Sequence, residues 1–182
     1  HSPSPKEERE IWDINVGGTR NVMKSALETG VGRVVLTGSF SATGYDPDDP
    51  SKPSHEDMPF YPFARWLPYS RTKVLAELET LRWTVRGLDA VIATSCAVIG
   101  PHDFLPSRLG GVICDYSNNK LRAYIPGGFD FVSTDDLVQG HLLAMEKGRR
   151  GEKYTFSTEF LTLGELLDTI GEVSGNKKRL PE

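Results

Sequence analysis

Two short apolar runs, each preceded by a segment with helical periodicity, constrain the fold of this chain most strongly. RVVLTGS (33–39) and LDAVIATSCAVIG (88–100) are nearly continuous in apolar residues, which is typical of strands buried on both faces of a parallel sheet. A helix is predicted before the first run, from about Glu7 to Glu28, and another before the second, over residues 69–87. The alternation predicts an α/β fold with a parallel sheet, which binds ligands at the carboxyl ends of its strands.

The rest of the chain continues this pattern after one long interruption. Residues 41–68 are rich in Pro, Asp and Ser, and a loop of that length in a compact domain usually serves as a lid or a binding loop. The later elements are a predicted helix over 106–119, a short strand LRAYIP (121–126), a helix capped by Thr134 or Asp135, a last strand EKYTFS (152–157) and a C-terminal helix opened by the capping box TLGE (162–165).

Composition excludes several classes of protein. The net charge is −4 and no run of Lys or Arg exceeds two residues, so the basic surface of a nucleic-acid-binding protein is missing. Cys96 and Cys114 have neither zinc-ligand nor disulfide-framework spacing, and the four histidines lack metal-ligand spacing. Cys96 is interpreted as a small apolar residue of a strand end. No apolar run approaches the length of a membrane span, so the chain is predicted to be soluble and cytoplasmic.

Tyr69 and Lys73 form the first candidate site. In LPYSRTKVLAELE (67–79) they stand at positions i and i+4 of a predicted helix, so both side chains lie on one face. Tyrosine is ordinarily neutral at pH 7, and a nearby ammonium group favours its phenolate form, which suits proton exchange with an alcohol or ketone oxygen. Ser39, at the end of the first strand, could hydrogen-bond that oxygen. Taken alone, the pair fits an ordinary exposed helix face better.

Five segments in a fixed order add a family resemblance. They are NVGGTRNV (15–22), GRVVLTGSFSATG (32–44), PYSRTKVLAE (68–77), AVIGP (97–101) and GGFDFVSTDDLVQGHLLAM (127–145). Their order resembles the extended short-chain dehydrogenase/reductase superfamily, the group of NAD-dependent epimerases/dehydratases and dihydroflavonol 4-reductase-like enzymes. The resemblance implies a Rossmann-like sheet, NAD or NADP as cofactor, and Ser39, Tyr69 and Lys73 as a catalytic triad.

The same resemblance implies roles for further residues. Tyrosine would be the acid/base, lysine would contact the nicotinamide ribose, and serine would polarise the substrate oxygen. The implied cofactor-binding residues are Pro3, Asn15, Thr37, Tyr69, Lys73, Ser95, Cys96, Ala97 and Val98, and the implied substrate residues are Ser39, Phe40, Ser41, Tyr69 and Phe129. For Asn15, a helix-interior residue bonding to backbone is an equal alternative.

The glycine-rich turn that binds the cofactor pyrophosphate in this superfamily has no counterpart in the chain. We therefore expect about three strands and their helices to precede His1 in the full-length protein. Residues 1–100 are interpreted as the second half of a Rossmann NAD(P)-binding domain. Residues 101–182 are interpreted mostly as a substrate-binding part, with 129–147 returning to the Rossmann body.

Two positions narrow the substrate class. The nucleotide-sugar branch commonly has asparagine where Ala97 stands and arginine near Phe129, and both help to hold a diphosphate, so their absence favours a less charged substrate. The loop aromatics either line a hydrophobic site or pack the loop onto the body; they are Phe60, Tyr61, Phe63 and Trp66, with Met58 beside them. Arg65 and Arg108 are candidate anion contacts.

The leading hypothesis is NAD(P)-dependent reduction of a ketone, or oxidation of a secondary alcohol, on a moderately apolar small molecule. The alternatives are a nucleotide-sugar epimerase or dehydratase that uses the same triad, and an inactive redox-sensing or scaffold protein. The residues do not decide the oligomeric state; the resemblance makes a homodimer one option, because many relatives pair through a four-helix interface that would include the helices after Val16 and after Tyr69. No metal, nucleic acid or membrane partner is predicted.

Overall fold

The computed structural model describes residues 4–49, 51–60, 67–176, 178 and 180–181. Five residues of the sequence-based site predictions lie outside these ranges: Pro3, Tyr61, Phe63, Arg65 and Trp66. The described chain divides into two compact units, of which unit 1 contains 1–95 with 139–156 and unit 2 contains 96–138 with 157–182.

The helices and strands alternate as the sequence predicts for an α/β protein. In chain order they are α1 (Pro5–Trp12), a π-helical turn (Asp13–Gly17), α2 (Gly18–Glu28), β1 (Val34–Ser39), a 3₁₀ turn (Phe40–Ala42), α3 (Pro68–Val85), β2 (Ala90–Ser95), β3 (Ala97–Ile99), α4 (Arg108–Ser117), β4 (Gly128–Ser133), α5 (Thr134–Lys147), β5 (Lys153–Phe156), β6 (Glu159–Thr162) and α6 (Leu163–Ser174). No helix in the described part of the chain has the length and apolarity needed to cross a bilayer.

The first predicted helix is helical throughout but is not a single α-helix. Its start is fixed by a capping box, in which Ser4 Oγ accepts from the Glu7 amide at 3.3 Å and the Glu7 carboxylate accepts from the Ser4 amide at 2.6 Å. Five residues, Asp13–Gly17, then adopt π-helical hydrogen bonding before α2 continues to Glu28. Such a turn widens the helix locally and is frequent near functional sites.

The sheet of unit 1 is wholly parallel, with the order β1-β2-β5. β2 lies at its centre, and all of its residues from Ala90 to Thr94 are buried, as expected for a strand covered on both faces. One core cluster contains Met23, Trp83 and Leu88, and a second contains Val91, Ala93 and Ala144. The predicted α/β class with a parallel sheet is therefore confirmed.

Unit 2 has its own three-stranded sheet, and here several predictions were wrong. The predicted strand 88–100 is two strands, because β3 pairs in parallel with β4 and not within the first sheet. LRAYIP (121–126) is not a strand, whereas β4 and β6, which the sequence reading missed, pair antiparallel with each other. The cap of α5 is Ser133, whose Oγ accepts from the Asp136 amide at 3.0 Å, and not Thr134 or Asp135.

Candidate active site

The carboxyl ends of the three strands of unit 1 meet in register. Ser39, the last residue of β1, pairs with Ser95 at the end of β2, and Ser95 pairs with Phe156 at the end of β5. Ser39 and Ser95 are half-buried, so each side chain is accessible from the edge of the sheet. The edge predicted from topology to carry the site is thus formed by the predicted residues Ser39 and Ser95.

Tyr69 and Lys73 lie in the first turns of α3. This helix begins with Pro68, whose missing amide hydrogen is no loss because the first amides of a helix have no partner within the helix. Tyr69 is 52% exposed. Lys73 Nζ donates to the Thr37 carbonyl oxygen of β1 at 3.1 Å, so this ammonium group lies at the end of the first strand. An ammonium group has three N–H donors, and among the described residues Lys73 Nζ donates to the Thr37 carbonyl alone, so donors remain for a ligand.

Ser39 is held by the turn that follows it. The backbone leaves the strand in a 3₁₀ turn, Phe40–Ala42, which Ser39 caps by accepting from the Ser41 amide at 3.4 Å. The two hydroxyl oxygens of Ser39 and Ser41 share a hydrogen bond of 2.8 Å. Because only one of the two O–H groups is used between the serines, the other can donate to a substrate hydroxyl or carbonyl oxygen. Phe40 is half-buried in the same turn.

Asn15 is linked to α3 through one intermediary, Thr72. Its Nδ2 donates to Thr72 Oγ1 at 2.9 Å, and the Thr72 hydroxyl donates to the Tyr69 carbonyl oxygen at 2.9 Å. Asn15 lies in the π-helical turn, and its own carbonyl accepts from Thr19 Oγ1 at 2.6 Å. The side chain therefore links the first helix to the turn that carries Tyr69, and the alternative of a side chain bonded only to its own backbone does not describe it.

Sequence reasoning missed a link between Thr37 and His141. The Thr37 hydroxyl oxygen lies 3.1 Å from His141 Nε2, and the imidazole ring packs against Phe156 at 5.9 Å between centroids. Thr37 is exposed, and its carbonyl holds Lys73. His141 has no local sequence signal for this contact, since only the fold brings residue 141 beside the end of β1.

Glu77 is the second residue that the sequence reading missed. Its carboxylate is 1% exposed and accepts from Lys153 Nζ at 2.9 Å. Burial raises the pKa of Glu77, while the charges of Lys153 and Lys73 and the Ser39 amide oppose that rise. Glu77 lies four residues after Lys73, which was the available signal: Y-x-x-x-K-x-x-x-E places all three on one helix face.

In unit 2, Ala97 and Phe129 line an apolar cavity of about 490 Å³. The remaining lining residues are Arg108, Leu109, Val112, Leu121, Ala123, Tyr124, Ile125, Leu163 and Leu167. Arg108 is the only charged side chain in this lining, it is exposed, and it forms no ion pair with any residue of the described ranges. The cavity thus offers apolar contact over most of its wall and one cation.

Cys96 and Val98 flank Ala97 in the chain. Burial raises the pKa of the Cys96 thiol to about 11, and the Asp130 carboxylate adds to the rise. The group is therefore a neutral thiol at pH 7, which agrees with its interpretation as a packing residue. Val98 is exposed.

The described part of the long loop is attached to unit 1. Thr43 forms an isolated antiparallel bridge with Phe60, and the Gly44 amide donates to the Pro59 carbonyl at 2.8 Å. Lys153 Nζ lies 5.7 Å from the centre of the Phe60 ring. Phe60 thus contacts Lys153 while staying exposed, and Met58 is half-buried, so the choice between a hydrophobic site and loop packing stays a prediction.

The groups at the strand ends of unit 1 fit a nicotinamide nucleotide. A ribose presents hydroxyls that accept from an ammonium group and a phenol, and Lys73 and Tyr69 supply both on one helix face with free donor capacity. No group of three His, Cys, Asp or Glu residues in the described ranges could hold a metal ion.

Comparison with known proteins agrees with this geometry. The family model described as "NAD dependent epimerase/dehydratase family" matches residues 2–156. Sterol demethylase protein B from Methylococcus capsulatus is 41% identical over 172 residues, 94% of this chain and 52% of that protein. A putative dihydroflavonol 4-reductase from a Synechocystis strain is 29% identical over 93% of this chain and 50% of its own.

Solved structures show the same fold. The crystal structure of gox2253 superimposes with a TM-score of 0.86 at 31% identity, over 100% of this chain and 55% of that chain. The chain thus spans about half the length of the relatives it matches. One conclusion follows from the family match over residues 2–156, taken with the strand-end serines and the Y-x-x-x-K helix. The chain belongs to the NAD-dependent epimerase/dehydratase family of the extended short-chain dehydrogenase/reductase superfamily.

Proposed function

We propose that this chain carries the proton-transfer and substrate side of an NAD(P)-dependent oxidoreductase. Its reaction is the oxidation of a secondary alcohol, or the reduction of the matching ketone, on an apolar small molecule. The observation that carries the proposal is the hydrogen bond of 3.1 Å between Lys73 Nζ and the Thr37 carbonyl oxygen, because it places an ammonium group of α3 at the strand end that bears Ser39.

Each residue of this group has a defined task in the proposed reaction. In the oxidation direction, the Tyr69 phenolate accepts the proton of the substrate hydroxyl, and in the reduction direction its phenol returns that proton. Lys73, on the same helix face as Tyr69, would hold the nicotinamide ribose through its remaining N–H donors. Ser39, oriented by Ser41 at 2.8 Å, donates to the substrate oxygen. The bound nicotinamide would accept or supply the hydride.

The proposed substrate is apolar and of the sterol class. The cavity beside Ala97 and Phe129 has an almost entirely apolar lining, which is poorly suited to a nucleotide diphosphate, since a diphosphate requires several charge-assisted donors. The relative named sterol demethylase protein B is 41% identical to this chain. Both observations favour a hydrophobic alcohol over a nucleotide sugar.

Phe129→Arg is expected to weaken the binding of an apolar alcohol by about tenfold, because it places a charge on the wall of the apolar cavity. Phe129 is 52% exposed, so the substitution is compatible with folding. The measurement is a fluorescence titration with dehydroergosterol, a naturally fluorescent sterol. Phe160→Arg is the matched control, since Phe160 is a phenylalanine of the adjacent strand β6, is 58% exposed and does not line the cavity. Equal affinities of the two variants would contradict the assignment of the cavity.

The experiment that tests the proposed function is titration with NADH and NADPH, followed by nicotinamide fluorescence. The complete gene product and the 182-residue chain alone are compared, and tight binding is expected for the complete gene product. The chain alone is expected to bind weakly, since it contains no glycine-rich turn of the family type. If the complete gene product binds neither nucleotide, the proposal is wrong.

A further inference from the structure

Glu77 continues the line of side chains that begins with Tyr69 and Lys73. The three residues stand at positions i, i+4 and i+8 of α3, so they share one face, and Glu77 lies about 12 Å from Tyr69 along the helix axis. The exposed fraction falls along this line, from 52% for Tyr69 to 1% for Glu77. The stripe thus runs from the accessible edge of the sheet into the interior of unit 1.

The Glu77 carboxylate lies against the backbone that precedes Ser39. A β-carbon placed on Gly38 would come 2.7 Å from Thr94 Oγ1, which is too close without a shift, and 3.1 Å from Glu77 Oε1, which is a tight contact, so the carboxylate lies close to strand β1 at this residue. On either side of Gly38 are Thr37, whose carbonyl holds Lys73, and Ser39. The carboxylate therefore lies directly behind the strand end that the proposed reaction uses.

Fold stability alone is a poor reason for such a charge. Glu77 Oε2 accepts from Lys153 Nζ at 2.9 Å, whereas Oε1 has no partner with hydrogen-bond geometry in the described part of the chain. Buried ion pairs often contribute less to stability than apolar residues of similar size would, because both charges lose their hydration. A role in the site one helical turn away accounts for a charge that packing alone does not require.

We propose that Glu77 is a positioning residue of the site: paired with Lys153, it holds the Thr37–Ser39 end of β1 against α3 and faces Lys73 with a fixed negative charge. This inference rests on the proposed function. The groups around the carboxylate are Lys73 on its own helix, Lys153 from β5, the Ser39 amide from β1 and the Thr94 hydroxyl from β2. His141 of α5 contacts the same strand end, with its Nε2 at 3.1 Å from the Thr37 hydroxyl oxygen.

The sign of the electrostatic effect distinguishes this role from simple packing. Glu77→Gln removes one negative charge and leaves Lys153 positive, so a phenolate at Tyr69 becomes easier to form. The acid limb of kcat/KM for alcohol oxidation should then move to lower pH, by about half a unit for a charge two helical turns away in a partly solvated site. In Glu77→Gln/Lys153→Met both charges are absent, and the limb should return to its wild-type position.

The test measures pH–rate profiles of the complete gene product for the wild type and both variants. A loss of activity with no displacement of the acid limb in Glu77→Gln would show that the pair acts only through packing, and would overturn the proposal. A second readout needs neither cofactor nor substrate: phenolate absorbance near 295 nm, taken as the difference between each protein and its Tyr69→Phe counterpart. If the enzyme proves inactive but this absorbance follows the expected order, the proposed function fails while the charge coupling stands.

Discussion

Replacing Tyr69 with phenylalanine is expected to lower kcat for alcohol oxidation by about 10²–10⁴-fold, the usual contribution of a general acid or base. The substitution removes one oxygen atom and leaves the ring. Tyr69 is 52% exposed, and the hydrogen bond that the Thr72 hydroxyl donates to its backbone carbonyl does not involve the phenol. The fold should therefore be retained. Steady-state oxidation of a sterol alcohol by the complete gene product, with nicotinamide absorbance as the readout, measures the effect.

Tyr154→Phe is the matched control for this prediction. Tyr154 lies in strand β5, and its hydroxyl accepts at 3.0 Å from the amide of Arg149, which precedes that strand. This hydroxyl has no part in the proposed site. Loss of this hydroxyl should leave kcat within about twofold of the wild type, because the ring is kept and the hydroxyl bonds only outside the proposed site. Nucleotide affinity of Tyr69→Phe should fall by no more than about tenfold, as for one lost hydrogen bond to the ribose, so the larger loss in kcat would be assigned to the chemical step. A Tyr69→Phe enzyme with undiminished kcat would exclude this residue as the proton donor.

The elements of unit 1 could be predicted from the sequence because local pattern and tertiary environment agree there. β1 and β2 are covered on both faces, so their apolar runs identify them, and the Y-x-x-x-K helix begins at a proline. Topology then placed Ser39 and Ser95 at one sheet edge, and the observed register pairs them. The catalytic roles of the triad stay predictions.

The elements of unit 2 were harder because tertiary pairing, not local pattern, decides them. LRAYIP (121–126) has strand-like residues but pairs with no strand among the residues that the structure describes, and four of its residues line the apolar cavity instead. β4 and β6 are strands because they pair antiparallel with each other, with Gly128 opposite Thr162, although about thirty residues separate them in the chain. A periodicity argument does not reach contacts of that range.

Long-range contacts also explain what was missed at the site. Glu77 and Lys153 are 76 positions apart, and Thr37 and His141 are 104 apart, so neither pair has a local signal. The homodimer that the resemblance suggests stays a prediction as well. Val22, Leu78 and Val85, on the two helices it would use, are 59%, 39% and 88% exposed. Exposed apolar residues there are the expected sign of such an interface.

Lys153→Met is expected to lower the free energy of unfolding by about 3 kcal/mol, because it leaves the Glu77 carboxylate buried without its ion-pair partner. The value is at the lower end of the usual range, since Lys73 and the Ser39 amide still favour the charged form. Urea denaturation followed by circular dichroism measures the change. The double variant Glu77→Met/Lys153→Met is the control, and its stability should lie within about 1 kcal/mol of the wild type, because no charge is then left unpaired.

The pH dependence of this loss follows from the direction of the pKa shift. Burial raises the pKa of Glu77 above its unfolded value near 4.5, so between the two values the folded state binds more protons than the unfolded state. Stability from this group is full below the unfolded pKa and is lost as pH rises through the folded one. Removing Lys153 raises the folded pKa further, so the gap between Lys153→Met and the wild type should widen from pH 4.5 to pH 8. A gap that is constant over this interval would mean that the carboxylate is not the cause, and that the lysine contributes through its aliphatic chain alone.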